Sequence, residues 1–161
     1  MCSIVLLIIR ALLGGMVQPG ENSTMIDTVK ELCRVLSAET VTVDDVVAVS
    51  GTAPTENGIR STIVQPESSS FSRIVIKTKS AVPATVALTL AEDLTLGSLR
   101  EEFGDYRNVP RVHPEDSARA AFSVDTGDAF TCTIFAHFDP LKQATDTTLV
   151  DSLLIRRDRR L

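Results

Sequence analysis

The chain has 161 residues, 43% apolar and 23% charged, a balance that excludes a disordered chain and suits one domain with its own core. A formal net charge of −5 argues against a dedicated nucleic-acid binder, whose phosphate contacts need a basic surface. Aromatics make up only 4% and Trp is absent, so Val, Ile, Leu and Ala must fill the core.

Residues 1–24 are set apart by composition. Met1 to Ile9 is apolar, Arg10 interrupts, and Ala11 to Val17 resumes. The apolar span falls short of the ~20 residues a membrane helix needs, and no positive charge precedes it as in a signal peptide. Three readings stay open: an anchor or degenerate signal, a helix packed on the domain, or non-native upstream sequence with Met25 as the true start. The last is favoured, because Met25-Ile-Asp-Thr-Val-Lys opens like an ordinary cytosolic protein.

Ile26, Val29, Leu32, Cys33 and Leu36 recur at helical spacing and predict a first helix over 25–38, capped by Thr24 or Asp27. A short second helix opens on Thr42, carries Asp44 and Asp45 in its first turn and stops at Gly51. The acidic pair is read as favouring the helix dipole rather than as a metal or acid–base site. A loop over 52–58 precedes an edge strand over 59–65. Strands follow at 72–78 and 85–91, the latter with Val86, Leu88 and Leu90 on one face and Thr85, Ala87 and Thr89 on the other. Thr95, Leu96, Leu99, Phe103 and Gly104 predict a third helix. An irregular stretch runs through Pro110 and Pro114.

The stretch 118–138 reads as a β-hairpin. Its second arm alternates, with Phe130, Cys132, Ile134, Ala136 and Phe138 facing inward and Thr131, Thr133, Phe135 and His137 outward. Gly127 supplies the positive φ the turn needs. A final strand spans 149–156, followed by a basic tail, Arg156 to Arg160, read as a solvated terminus.

Cys2, Cys33 and Cys132 show no metal spacing and no Cys-x-x-Cys. Cys33 and Cys132 fall on apolar faces and are expected to be buried, reduced thiols in a cytoplasmic protein, although a disulfide between them stays open. His113 lies in a loop and His137 on the outward face of the hairpin. Neither stands in a nucleophile, phosphate-loop or dinucleotide motif. No cofactor, metal or catalytic residue is assigned.

Four short matches recur in the same order: Thr42…Gly51 with Thr95…Gly104, Val64–Ser68 with Val112–Asp116, Arg73–Thr78 with Ala121–Thr126, and Leu88–Asp93 with Leu153–Asp158. They suggest half-repeats over about 42–93 and 95–158 within one α+β domain, 25–158, with short helices packed on an antiparallel sheet. In this reading the arm 130–138 and the first helix have no counterpart. The alternative fold is a single α+β roll with the first helix packed into one curved sheet.

Small helices followed by antiparallel strands, twice over, resemble the β-lactamase-inhibitor-protein-like fold, whose single copies resemble the outer-membrane-assembly lipoproteins of the SmpA/BamE type. The resemblance covers roughly 42–158. It implies a binding module without catalysis. No lipoprotein cysteine stands where that type would place it.

The outward sheet face, with Thr131, Thr133, Phe135 and His137 beside Thr85 and Thr89, is the candidate partner-binding surface, Phe135 being its exposed aromatic and Tyr106 and Arg111 lying nearby in sequence. The expected function is a cytoplasmic, non-catalytic protein-binding or adaptor module without nucleic acid. The alternatives are a small enzyme or ligand binder with a pocket in a cone-shaped sheet, and an envelope protein tethered through residues 1–17.

Overall fold

The computed structural model describes residues 21–50, 54–66 and 68–160, so the readings of residues 1–17 and of Gly51 lie outside the described residues. Among these residues, three helices pack on one eight-stranded, wholly antiparallel sheet. The helices are α1 (Glu21–Ser37), α2 (Val43–Ser50) and α3 (Leu96–Phe103). The strands are β1 (Pro54–Asn57), β2 (Ser61–Val64), β3 (Phe71–Lys79), β4 (Val82–Leu90), β5 (Arg107–Val109), β6 (Ala118–Val124), β7 (Phe130–Phe138) and β8 (Ser152–Arg159). Their order is β1-β2-β3-β4-β8-β7-β6-β5. Two four-stranded meanders therefore meet through their last strands, β4 and β8.

Strand alternation decides the core. Thr62, Ile76, Val86, Ile155 and Ile134 form one buried row across the sheet, and Val64, Ile74, Leu88, Leu153 and Ala136 the next. Met25, Val29, Leu32, Cys33 and Leu36 of α1 close over these rows at one-per-turn spacing. Each fully buried Leu, Ile or Phe contributes about 1.5–3 kcal/mol relative to exposure. The Phe122 ring is sealed by Tyr106, with centroids 5.4 Å apart, and by Phe103 at 6.5 Å.

Cys33 and Cys132 are joined by a disulfide that ties α1 to β7. This corrects the expectation of reduced thiols. The faces predicted for both residues are right, and it is the packing of α1 over β7 that brings the two apolar positions together.

Helix α1 begins at Glu21, not 25, and the Thr24 carbonyl accepts a bond from the Thr28 hydroxyl inside it, so Thr24 is no cap. In α2 the Asp45 carboxylate takes both the backbone N–H and the hydroxyl of Thr42, each at 2.8 Å, while the Asp45 N–H reaches back to the Thr42 oxygen. These bonds hold the Asp45 carboxyl below its usual range, so this acid serves the helix start. Thr95 caps α3, accepting from the Ser98 N–H at 3.2 Å, and Gly104 ends it at φ 82°.

Two strands escaped the sequence pattern. β1 lies in the expected loop 52–58, so β2 is not the sheet edge, and β5 lies in the stretch read as irregular. The last strand starts at Ser152, and Leu149 makes only an isolated bridge to Thr95. The basic tail is no solvated terminus. Arg156, Arg157 and Arg159 belong to β8, and Arg157 donates to the carbonyls of Ala38 and Glu39 while stacking on Phe130.

Candidate partner-binding face

Helices α1, α2 and α3 lie on one side of the sheet. No described helix covers the other. The strand registers place Ile63, Val75, Ala87, Leu154, Phe135 and Ala121 side by side, one per strand from β2 to β6. Neighbouring strands are ~4.8 Å apart, so this apolar row is about 24 Å long. Glu56 stands at its β1 end and Arg107 at its β5 end.

Polar rows flank it, each about 7 Å away along the strands. One runs Ser61, Lys77, Thr85, Arg156, Thr133 and Ser123. The other runs Arg73, Thr89, Ser152, His137, Arg119 and Val109. Thr131 pairs with Asp158 beyond the first.

The structure thus brings all six sequence-nominated residues, Thr85, Thr89, Thr131, Thr133, Phe135 and His137, onto one face. It changes the state of two. Phe135 is not exposed: it retains 7% of its accessible surface, because the Arg156 guanidinium lies over its ring. Thr133 is equally covered and donates a 2.5 Å hydrogen bond to Asp158. Asp158 in turn accepts two bonds from Arg156, at 2.7 and 3.2 Å.

His137 is half-buried, and its pKa is lowered from the usual 6.5, first by burial and then by the neighbouring charge of Arg119, with Asp151 opposing. Burial and the Arg119 charge both favour the neutral ring. His113 is exposed in its loop, its backbone N–H donating to the Asp116 carboxylate. Among the described residues, no group of three His, Cys, Asp or Glu side chains could hold a metal ion.

Two residues named beside the face do not belong to it. The Tyr106 ring packs on Phe122, on the helix side. The Arg111 guanidinium donates to the carbonyls of Pro114 and Pro140. Arg111, Arg119 and Lys142 border a groove of about 480 Å³ at the end of β5 and β6, and His137 is not part of its lining.

Sequence reasoning missed the apolar row itself. Alternation could have found Val75 between Ile74 and Ile76, but the continuous run Leu153-Leu154-Ile155 hides which residue faces out. Arg156 closes the predicted final strand and opens the predicted tail, and only its parity in β8 puts it beside Leu154.

No helix among the described residues is long and apolar enough to cross a membrane. No family model matches the chain, and no match to a curated protein or a solved structure was found.

Proposed function

We propose that this protein is a non-catalytic binding module whose helix-free sheet face docks a protein partner. The observation that carries this reading is the apolar row from Ile63 to Ala121. A sheet buries one apolar face to make its core, and the second face of a single-layer sheet is normally polar. An apolar row that spans six strands on that second face is a docking feature rather than a folding requirement.

The half-repeat reading belongs to the same proposal, as does the likeness to β-lactamase-inhibitor-protein-like modules. Each meander follows a short helix, and Leu88 pairs directly with Leu153, the arrangement a local two-fold between equivalent residues produces on its axis. Two of the four sequence matches fall on such equivalent elements, α2 with α3 and β4 with β8. The other two do not. Val64–Ser68 joins β2 to β3 whereas Val112–Asp116 joins β5 to β6, and the position of β7 beside β8 answers to β3 beside β4.

The test is capture of a partner by the full chain, followed by titration of the identified, purified partner. Leu154→Arg at the centre of the row is expected to weaken binding at least tenfold with an unchanged melting temperature. Equal affinity in that variant would overturn the proposal.

A second reading concerns compartment. The Cys33–Cys132 bond favours an oxidising setting over the expected cytoplasm. Trapping thiols with a maleimide at the moment of lysis decides it: labelled Cys33 and Cys132 would return the protein to the cytoplasm.

A further inference from the structure

We propose that the segment docking on this face is acidic, with apolar side chains at its centre and carboxylates on both flanks. The inference rests on the docking reading above and adds the chemistry of the partner. It is carried by the placement of charge around the apolar row. Lys77 and Arg156 stand in one flanking row, and Arg73 and Arg119 in the other. Successive same-face positions lie about 7 Å apart along a strand, so the cations stand on both sides of a strip about 14 Å wide.

The carboxylates on this face are few and committed or peripheral. Asp158 is held by Arg156 and Thr133, and Glu56 lies at the β1 edge. Asp151 adjoins His137 just before β8, its backbone N–H donating to the His137 carbonyl. Among the described residues, no carboxylate lies within ion-pair distance of Arg73, Lys77 or Arg119. Lys30 pairs with Glu102 and Arg100 with Asp146, while Arg60, Lys79 and Lys142, like the flanking cations, make no ion pair among the described residues. On a chain of net charge −5, the apolar row of the helix-free face is thus flanked by four cations, of which Arg73, Lys77 and Arg119 have no carboxylate partner among the described residues. Complementary charge steers association and excludes wrong partners, and like charge across an interface is costly.

A polypeptide fits these features better than a nucleic acid or a lipid surface. Sequence-tolerant nucleic-acid binding uses exposed rings on which bases stack. Among the described residues, the one aromatic of this face, Phe135, is capped by Arg156. Membrane-surface binding needs bulky apolar groups that project, such as Trp, Phe and Leu on a helix. Here the apolar row is small or half-covered, with Ala87 and Ala121 among its members.

The experiment selects displayed random 16-residue peptides on the immobilised full chain at about 50 mM salt. The expected result is enrichment of peptides with Asp or Glu around an apolar centre. Their binding should fall at least tenfold in Arg73→Glu/Arg119→Glu and on raising salt to about 200 mM, since exposed charges are screened. The salt response needs no variant, and circular dichroism checks that the variant is folded. Neutral or basic peptides whose binding is lost in Leu154→Arg would overturn the acidic partner and leave the docking face standing. No peptide depending on Leu154 would overturn both. Tight binding of a labelled 20-nucleotide single strand or of phosphatidylglycerol vesicles, lost in the double variant, would overturn the polypeptide class.

Discussion

The Arg156 guanidinium carbon lies 4.8 Å from the centre of the Phe135 ring, across the β7–β8 pairing. Asp158 holds the guanidinium in place, and Thr133 holds Asp158. An aromatic that strand parity turns outward is thereby withdrawn from solvent. A cation–π contact of this kind contributes about 0.5–1 kcal/mol at a partly exposed site. Arg156→Ala is expected to lower stability by about that much, and Arg156→Lys to restore only part of it, because an ammonium cannot stack as a planar fork. A double-mutant cycle with Phe135→Leu in urea unfolding measures the coupling. A coupling near zero would mean that the two side chains merely adjoin.

The disulfide joins residues 99 positions apart, in α1 and β7. Constraining so long a loop in the unfolded chain stabilises the fold by about 2–5 kcal/mol. Reductant, or the double change Cys33→Ser and Cys132→Ser, should therefore move the urea midpoint down markedly. Coincident unfolding curves with and without reductant would count against the bond.

The β3–β4 hairpin turns on Ser80 and Ala81, which take φ values of 53° and 65°. Both angles suit a two-residue hairpin turn, yet neither residue is one that tolerates them well. A non-glycine residue in this region costs about 1–2 kcal/mol, and glycine returns roughly half of the relief as unfolded-state entropy. Ala81→Gly should raise stability by about 0.5–1 kcal/mol, read as a higher melting temperature. A lower one would refute the strain.

His137 binds a proton less readily in the folded protein than in the unfolded chain, because burial and Arg119 disfavour its charged form. Its contribution to stability is therefore complete above the unfolded value near 6.5 and is lost as pH falls from there toward the lowered folded value. His137→Gln should flatten that part of the profile. Urea midpoints of both proteins at about pH 7.5 and about pH 5, on either side of the unfolded value, give the comparison. Parallel losses in the two would show that His137 carries none of the acid response.

Local patterns were legible where they were long or chemically marked. Period-two alternation marked β4 and β7 and separated the inward from the outward residues of each. The Thr95 cap and the Gly104 stop marked α3. Alternation is a property of the strand itself, so it survives without knowledge of neighbours. β1 and β5, of four and three residues, carry no such pattern. They are strands only because a neighbouring edge offers them hydrogen bonds.

What the sequence by itself determined was which residues lie inward within each long element. Side-chain direction follows from backbone geometry alone. What only the tertiary structure decided was which of these elements lie side by side. It joined Cys33 to Cys132, turned Tyr106 onto Phe122, laid Arg156 over Phe135 and assembled residues from β2 to β6 into one apolar row. Each of these is a contact between segments far apart in the chain, fixed by strand order and register, and no local pattern encodes either.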